Sequence, residues 1–328
     1  MPCRDSFNRP IEYLRISVTD RCNLRCVYCM PEEGIPQISH QQILRYEEIA
    51  RLARIVVGLG VSKLRLTGGE PLARRGVERL VAMLGSIFGV QDLAMTTNGI
   101  LLAGAAQGLA RAGLRRVNVS LDTLRPERYA AITRRGRLEE VLAGLEAARR
   151  AGLSPIKINM VVIRGLNDDE VVDLACKTVE DGWHVRFIEI MPLGPGRLWA
   201  HDGFVPTAQT RARIEAAFGP LQAADGQGAG PARYYRIAGA PGTIGFISPL
   251  SEHFCVRCNR LRLTADGQLL PCLMSEQGVD LRSPLRAGAS DEDLRGLMLG
   301  AVLAKPVGHR MTAQAGQPGA APMSRIGG

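Results

Sequence analysis

Six of the eight cysteines in this 328-residue chain fall into two triplets, more than two hundred residues apart. The triplets have the spacings C-x3-C-x2-C and C-x2-C-x13-C, and their members are Cys22, Cys26 and Cys29, then Cys255, Cys258 and Cys272. Structural zinc sites close with four protein ligands, and ordinary iron–sulfur clusters take four thiolates. A site with three thiolates leaves one metal position for a molecule that is not protein. The spacing therefore predicts two metal centres, each with one open position.

The composition favours metal binding by these cysteines over disulfide formation. Hydrophobic residues make up 46% of the chain, which is typical of a globular protein, and no apolar run approaches the roughly 18–20 residues of a membrane span. About a dozen residues precede the first predicted strand, too few for a signal or transit peptide. We therefore expect a cytoplasmic protein without a membrane segment, in which clustered cysteines stay reduced and bind metal.

The formal net charge of +9 indicates a polyanionic partner or a basic solvated surface. A phosphorylated small molecule and a nucleic acid both satisfy the first of these interpretations. Aromatic residues make up only 5% of the chain, which argues against a stacking platform for single strands. We therefore expect a small-molecule polyanion and no nucleic acid.

Short β-like runs alternate with amphipathic helical segments from residue 11 to about residue 218, which predicts parallel strands joined by right-handed crossovers. The predicted strands are Leu14–Val18, Lys63–Thr67, Leu93–Thr97, Val117–Leu121, Ile156–Val162 and Val185–Ile190. The predicted helices include Glu47–Val57, Val77–Ile87, Leu138–Arg150 and Glu170–Glu180. Six such units are too few to close an eight-stranded barrel. The pattern therefore predicts an α/β fold, a partial (β/α)6 barrel of the TIM type, open on one side.

Residues that can do chemistry follow the carboxyl ends of these strands. The first cysteine triplet follows the first strand, and Gly68-Gly69-Glu70 follows the second. Thr96, Ser120 and Met191 lie at or just beyond the ends of the third, fourth and sixth strands. Active sites of such barrels lie at this face, so we expect these residues to converge on one rim.

The pattern changes after residue 222, and we predict three regions: a barrel over residues 1–222, a smaller C-terminal α+β domain over 223–311, and a flexible tail over 312–328 that ends in Gly-Gly. The second triplet brackets a predicted hairpin, Leu261–Leu270, that turns at Asp266-Gly267. A helix is predicted from about Asp291 to Ala304, with Ser290 as its N-cap. Residues 195–206 are predicted to form a loop.

The first triplet resembles the cluster motif of the radical S-adenosylmethionine superfamily. Tyr28 precedes the third cysteine, and Gly68-Gly69-Glu70-Pro71 matches the second signature of that superfamily. The resemblance implies a [4Fe–4S] cluster whose fourth iron is chelated by S-adenosylmethionine. Electron transfer from the cluster would cleave the sulfonium and yield a 5′-deoxyadenosyl radical.

The second triplet, with its run C-N-R-L-R-L and the Gly-Gly end of the chain, narrows the resemblance to the GTP 3′,8-cyclases of molybdenum cofactor biosynthesis. The segments R-I-S-V-T-D-R-C, K-L-R-L-T-G-G-E-P-L, T-T-N-G, N-V-S-L-D, K-I-N-M-V and R-F-I-E-I-M-P-L-G also match, so the resemblance covers nearly the whole chain. It implies that the C-terminal domain carries a second [4Fe–4S] cluster, whose open iron binds the guanine of GTP.

The resemblance also implies roles for individual residues. Those expected to contact S-adenosylmethionine are Tyr28, Gly69, Glu70, Ser120 and Met191. Those expected to contact GTP are Arg15, Arg65, Thr96, Lys157, Arg186, Arg260 and Arg262. Those expected to be catalytic are Cys22, Cys26, Cys29, Arg260 and Arg262. Arginine suits a triphosphate because its planar fork of donors matches phosphate oxygens.

The implied enzyme is a lyase-type radical enzyme that performs the first step of molybdenum cofactor biosynthesis. The adenosyl radical would abstract H-3′ of GTP, and C3′ would attack C8 of the guanine to give 3′,8-cyclo-7,8-dihydro-GTP. The implied partners are cyclic pyranopterin monophosphate synthase, an electron donor and a second copy of the chain in a homodimer.

Other interpretations stay open from the residues alone. A radical enzyme that acts on a peptide or another substrate would share both triplets, and a zinc-stabilised nucleic-acid-binding protein would explain the charge and the cysteines. His253 lies two residues before Cys255, so its spacing permits a zinc site with the second triplet. The Gly-Gly end is either a frayed terminus or, by resemblance, a mobile tail that reaches the active site.

Overall fold

The structure is a computed structural model that describes residues 2–225, 230–275, 278–309, 311–312 and 323–326. The strands of the described residues form one sheet in the order β12-β11-β10-β1-β2-β3-β4-β5-β6-β9-β8-β7. These strands are β1 Tyr13–Ser17, β2 Lys63–Thr67, β3 Asp92–Thr97, β4 Arg116–Ser120, β5 Lys157–Val162, β6 His184–Glu189, β7 Gln222–Ala223, β8 Arg233–Arg236, β9 Thr243–Ile247, β10 Arg260–Leu263, β11 Gln268–Leu270 and β12 Val279–Asp280.

Helices occupy most of the connections. They are α1 Tyr46–Gly58, α2 Val77–Gly85, α3 Leu102–Arg111, α4 Pro126–Thr133, α5 Leu138–Arg150, α6 Val171–Glu180, α7 Gly196–Asp202, α8 Thr207–Phe218, α9 Arg282–Arg286, α10 Asp291–Leu303 and α11 Met323–Ile326. Short 3-10 turns span Pro71–Ala73, Asp168–Glu170 and Cys255–Arg257. No helix among the described residues is long and apolar enough to cross a membrane.

The predicted partial barrel is confirmed. Strands β1 to β6 are all parallel and lie side by side in chain order. The C-terminal strands continue the same sheet at both of its edges, because β10 pairs with β1 and β9 pairs with β6, both in parallel. Among the described residues, the two ends of the sheet, β12 and β7, do not pair with each other, so the barrel is open there.

The hydrophobic core lies between the sheet and the helices. On β4, Val117 and Val119 are fully buried and face this layer, whereas the alternate positions Arg116, Asn118 and Ser120 face the barrel interior, as the period of a strand requires. The barrel interior is therefore lined by polar side chains. Gly245 on β9 makes room there, because a Cβ atom at this position would lie 2.8 Å from the Arg186 side chain.

The predicted hairpin and final helix are confirmed. Strands β10 and β11 pair antiparallel, and Gly267 at the turn has a φ of 87°, which glycine tolerates without strain. Helix α10 begins after Ser290, whose side chain accepts a hydrogen bond from the Asp293 amide.

The prediction of a loop over residues 195–206 was wrong, because helix α7 occupies Gly196–Asp202. Gly196 lies so close to the backbone that a Cβ atom there would be 2.8 Å from the Met191 carbonyl oxygen. The sequence did not indicate this helix because it is short and begins with Pro-Gly. Of the predicted tail, residues 313–322 and the terminal Gly-Gly lie outside the described residues.

The contact between α3 and α5 gives a test of the packing. Gly144 lies inside α5, and a Cβ atom there would lie 2.5 Å from the Gly99 carbonyl oxygen. Gly144→Ala should therefore lower the free energy of unfolding by roughly 1–3 kcal/mol, as overpacking does. Gly296 lies at an exposed position of α10, and a Cβ atom there would meet nothing within 4 Å. Gly296→Ala should therefore raise the free energy of unfolding by about 0.5–1 kcal/mol. Chemical denaturation of both variants measures the difference, and equal stabilisation by both would contradict the close packing.

Candidate active site

One cavity of about 340 Å³ opens at the carboxyl ends of the barrel strands, and all of the predicted site residues line it. They are Arg15, Cys22, Cys26, Tyr28, Cys29, Arg65, Gly69, Glu70, Thr96, Ser120, Lys157, Arg186, Met191, Cys255, Cys258, Arg260, Arg262 and Cys272. This volume falls within the range of small-molecule sites. The structure therefore brings both cysteine triplets and the predicted ligand contacts to one place.

The first triplet lies on a loop between β1 and α1. The Cys29 amide donates to the Cys26 carbonyl over 2.9 Å, and the Arg25 amide donates to the Thr133 carbonyl over 3.0 Å. The Leu24 amide points at the Cys22 sulfur over 3.4 Å. These bonds fix the backbone of the loop and turn the three sulfur atoms towards the cavity.

The Gly68-Gly69-Glu70 turn packs against this loop. A Cβ atom at Gly68 would lie 2.6 Å from the Thr19 carbonyl oxygen, and one at Gly69 would overlap the Arg21 backbone. Both positions therefore require glycine. The buried Glu70 carboxylate accepts hydrogen bonds from Thr97 Oγ1 and the Asn98 amide, both over 2.7 Å, and from the Leu72 amide over 3.0 Å.

Burial and these hydrogen-bond donors act in opposite directions on the pKa of Glu70. Burial raises the pKa of Glu70 to about 7, although the three hydrogen bonds oppose that rise. The carboxylate therefore holds the ends of β2 and β3 together beside the first triplet. It is also the kind of group that pairs with an ammonium ion entering the cavity.

The second triplet lines the same cavity. Cys255 and Cys258 flank a 3-10 turn closed by a 3.0 Å hydrogen bond from the Cys258 amide to the Cys255 carbonyl. Cys272 follows β11, and its sulfur accepts from the Met274 amide over 3.5 Å. The pairing of β10 with β1 brings this triplet beside the barrel rim.

The cysteines of both triplets are free of disulfides. Four ligands around one zinc ion at about 2.3 Å lie roughly 3.8 Å apart. Among the described residues, neither triplet forms a group of three ligand atoms within 4.8 Å of one another. The donor set of each triplet, three thiols with an amide directed at the sulfur of Cys22 and of Cys272, fits a [4Fe–4S] cluster. The alternative of zinc on His253 and all three cysteines is not supported, because His253 groups with Cys255 alone of the three.

The two triplets differ in their electrostatic surroundings. Burial and the neighbouring Cys22 and Asp122 raise the pKa of Cys29 to about 12. Burial also acts to raise the pKa of Cys258, but the cations of Arg260 and Lys305 outweigh it and lower that pKa to about 7. Iron at the first triplet must therefore displace thiol protons, whereas cationic groups already favour the thiolate at Cys258.

The structure brings together the predicted GTP contacts inside the barrel. Arg262, Arg15 and Arg65 are direct neighbours in register on β10, β1 and β2. Burial and repulsion by neighbouring cations lower the pKa of Arg262 to about 10 and that of Lys157 to about 7. Eight cationic side chains and only three carboxylates line the described part of the cavity. Such a surface matches a ligand with several negative charges.

Sequence reasoning missed several residues that line the same cavity. They are Tyr13, Arg116, Asp122, Asn159, Tyr234, Lys305 and His309. The two-residue period of a strand could have found two of them. Arg116 lies two positions before Asn118 and four before Ser120, so it shares their face of β4. Asn159 lies two positions after Lys157, so it shares that residue's face of β5. No local signal marks Lys305 or Tyr234, which reach the cavity from distant segments.

Two of the missed residues, Asp122 and Tyr234, contact predicted ones. The Tyr28 hydroxyl donates to the Asp122 carboxylate over 2.6 Å, and the Val161 amide donates to the same carboxylate over 2.8 Å. Lys157 lies over the Tyr234 ring, with its nitrogen 5.5 Å from the ring centroid. A third missed residue, Arg116, forms an ion pair with Asp92 at the barrel floor.

A segment near the end of the chain also enters the site. Ile326 is 2% exposed, and its carbonyl accepts a 3.3 Å hydrogen bond from Arg262. Met323 lines the cavity. Met323 and Ile326 therefore pack in the site, whereas both interpretations of the terminal Gly-Gly, which lies outside the described residues, stay open.

Comparison with known proteins agrees with this geometry. Residues 16–175 match the family model described as "Radical SAM superfamily", and residues 183–311 match "Molybdenum Cofactor Synthesis C". The second match begins inside the predicted barrel region, so the predicted boundary at residue 222 stays a prediction.

Curated relatives match over the whole chain. A "GTP 3′,8-cyclase" from Pelotomaculum thermopropionicum is 52% identical over 99% of this chain and 100% of its own length. One from Heliobacterium modesticaldum is 52% identical over 99% of both chains. Among solved structures, Streptococcus suis SuiB bound to S-adenosylmethionine superposes with a TM-score of 0.59 and 14% identity, covering 88% of this chain and 67% of SuiB. That likeness shows a shared fold.

Lys305 gives a test of the second triplet. Its ammonium donates to the Arg260 carbonyl over 2.8 Å and to the Pro271 carbonyl over 2.5 Å, and it lies beside Cys258 and Cys272. Lys305→Met should destabilise the second metal centre, because it removes both these bonds and the positive charge beside two thiolates. After anaerobic reconstitution we expect about four irons per chain, where the unchanged chain binds about eight.

Lys177→Met is the matched control for this variant, because Lys177 pairs with Glu180 on the exposed face of α6. The control should keep the full iron content. Eight irons in Lys305→Met, with a second cluster as stable to oxygen as in the unchanged chain, would refute the role of Lys305.

Proposed function

This chain belongs to the GTP 3′,8-cyclases, a family of radical S-adenosylmethionine enzymes, and from that premise we propose how its residues carry out the reaction. It is an enzyme that converts GTP to 3′,8-cyclo-7,8-dihydro-GTP, the first step of molybdenum cofactor biosynthesis. The observation that carries the proposal is the single cavity lined by both cysteine triplets.

Cys22, Cys26 and Cys29 would hold one [4Fe–4S] cluster, and Cys255, Cys258 and Cys272 would hold the other. When bound, the first cluster and S-adenosylmethionine would supply a 5′-deoxyadenosyl radical able to abstract H-3′ of GTP. The protein would supply the relative positions of the cofactor and the nucleotide in one cavity.

The residues beside the first triplet are proposed to bind S-adenosylmethionine. The absence of side chains at Gly68 and Gly69 lets their turn pack directly against the backbone of Thr19 and Arg21, beside the first triplet. Glu70 offers a buried carboxylate to the methionine ammonium, and its pKa near 7 would fall as the cation binds. Ser120 and Met191 line the same cavity.

The cations inside the barrel are proposed to bind the triphosphate. Arg15, Arg65 and Arg262 lie side by side across three strands, and Arg186 and Lys157 face them from β6 and β5. A triphosphate offers these groups charge-assisted hydrogen bonds and removes their mutual repulsion. Thr96 has a buried hydroxyl without a hydrogen-bond partner among the described residues, which suits a further contact to the nucleotide.

Arg260 and Arg262 connect the triphosphate site to the second triplet. They lie on β10, two and four residues after Cys258. Since they face both the thiolates and the barrel interior, they are placed to orient the base and the ribose of one nucleotide. We propose this orientation as their catalytic contribution.

The remaining partners follow from the reaction class. The product would pass to cyclic pyranopterin monophosphate synthase, and an external donor would supply electrons. A homodimer and a cytoplasmic location stay predictions.

Anaerobic turnover tests the proposed function. The chain is reconstituted with iron and sulfide, incubated with reductant, S-adenosylmethionine and GTP, and assayed for 5′-deoxyadenosine and cyclised nucleotide. We expect about eight irons per chain and both products. Formation of 5′-deoxyadenosine with unchanged GTP would refute the substrate and favour a radical enzyme acting on another molecule.

Cys258→Ser separates the roles of the two triplets. It removes a ligand only from the second triplet, so it should abolish cyclisation while 5′-deoxyadenosine still forms. Cys176→Ser, which changes a thiol on α6 outside the cavity, should leave both products unchanged. Loss of 5′-deoxyadenosine together with the cyclised product in Cys258→Ser would contradict this division.

Lys157 predicts a pH dependence of GTP binding. Its pKa near 7 means that the free site loses this positive charge as the pH rises above 7, whereas a bound phosphate would restore it. GTP affinity should therefore fall above pH 7 by up to roughly tenfold per pH unit, with proton uptake on binding. Calorimetry in buffers of different ionisation enthalpy measures both effects.

Lys157→Met removes the titrating group and is the comparison for this experiment. It should bind GTP more weakly at pH 7, and its affinity should change little between pH 7 and 8.5. The same fall in affinity with pH in the variant would assign the effect to another group.

A further inference from the structure

Two histidines lie against one cysteine of the second triplet. The ligand atoms of His253, Cys255 and His309 all lie within 4.8 Å of one another, and no other histidine, cysteine or carboxylate group of three in the described residues is this compact. The two imidazole rings are 4.7 Å apart. Two imidazoles and one thiolate are a ligand set that zinc and neighbouring divalent metals bind well.

The backbone around this group is already fixed. Buried Arg9 donates to the Cys255 carbonyl over 2.8 Å and to the Val307 carbonyl over 3.0 Å, which joins the two segments that carry the ligands. A Cβ atom at Gly308 would lie only 3.1 Å from the Cys255 Cβ atom. The glycine therefore lets the segment with His309 approach the thiol closely.

The hydrogen bonds of His309 select a tautomer that can bind metal. The ring is hydrogen-bonded to the backbone of Pro249, which has only a carbonyl acceptor to offer. The buried Nδ1 atom of His309 has no hydrogen-bond partner among the described residues, so Nε2 carries the proton and Nδ1 keeps its lone pair. Metal-binding histidines commonly donate their other N–H to a backbone carbonyl in this way.

We propose that His253, Cys255 and His309 form a mononuclear site for a divalent transition metal such as zinc. The fourth position of a tetrahedral ion would be open to water. Because this site and the second cluster both need the Cys255 sulfur, only one of them can be filled at a time. Zinc bound here therefore blocks assembly of the second cluster. The inference needs neither Cys258 nor Cys272, so it stands apart from the proposed function.

Cobalt(II) titration of the full chain tests the site directly. The five other triplet cysteines are changed to serine, which removes both cluster sites and leaves Cys255. One equivalent of cobalt should then give the sulfur-to-metal charge-transfer band and the intense ligand-field bands of a tetrahedral cobalt thiolate. Adding His253→Ala or His309→Ala should weaken cobalt binding at least tenfold. His201→Ala, which changes an exposed histidine on α7, is the matched control and should change nothing.

Competition in the chain with all its cysteines gives a second test that does not depend on the serine variants. Zinc added during reconstitution should lower the iron bound at the second triplet. The double variant His253→Ala, His309→Ala should need at least tenfold more zinc for the same loss.

Each outcome decides the proposal. A cobalt thiolate spectrum that both histidine variants leave unchanged would overturn it, as would equal zinc sensitivity of the double variant and the unchanged chain. Failure to convert GTP in the turnover assay would leave the cobalt result as it stands.

Discussion

Repulsion among buried cations is the constraint on which the rest of the site depends. Arg262, Arg15 and Arg65 are neighbours in register on three adjacent strands, and Arg186 and Lys157 face them across the barrel. Like charges opposite one another weaken a sheet, and burial adds a desolvation cost. The lowered pKa values of Arg186, Arg262 and Lys157 report both effects. A ligand with several negative charges removes this cost, which explains why a polyanion is the natural occupant.

In the site without ligand, neighbouring aromatic rings, a carboxylate and a carbonyl group reduce the repulsion among these cations. Arg65 lies over the Tyr13 ring, with its guanidinium 5.5 Å from the ring centroid, and Lys157 lies over Tyr234. Arg116 is neutralised by Asp92 at the floor of the barrel, and Arg262 donates to the Ile326 carbonyl. A nucleotide phosphate would compete with the Ile326 carbonyl for the Arg262 guanidinium.

The topology of the sheet couples the two metal centres. The parallel pairing of β10 with β1 joins Tyr13 to Arg260, roughly 250 residues later in the chain, and brings both triplets to one cavity. Because β9 and β10 extend opposite edges of the barrel sheet, C-terminal segments contribute to the lining of that cavity.

Much of the site could be predicted from sequence because its residues follow local rules. The cysteine triplets, the glycines of the second turn and the polar residues at strand ends each carry their signal within a few positions. Lys305, Tyr234 and His309 could not be found in this way, because only the pairing of β10 with β1 and of β8 with β9 brings them to the cavity. Helix α7 was missed because seven residues after a proline are too few for a clear amphipathic period.

The proposed reaction requires the ribose of GTP to lie beside the radical formed at the first triplet. Turnover with GTP deuterated at C3′ measures whether it does. We expect deuterium in 5′-deoxyadenosine when the cyclised nucleotide forms. Cyclised product accompanied by 5′-deoxyadenosine free of deuterium would show that the hydrogen comes from another position and would refute this placement of the ribose.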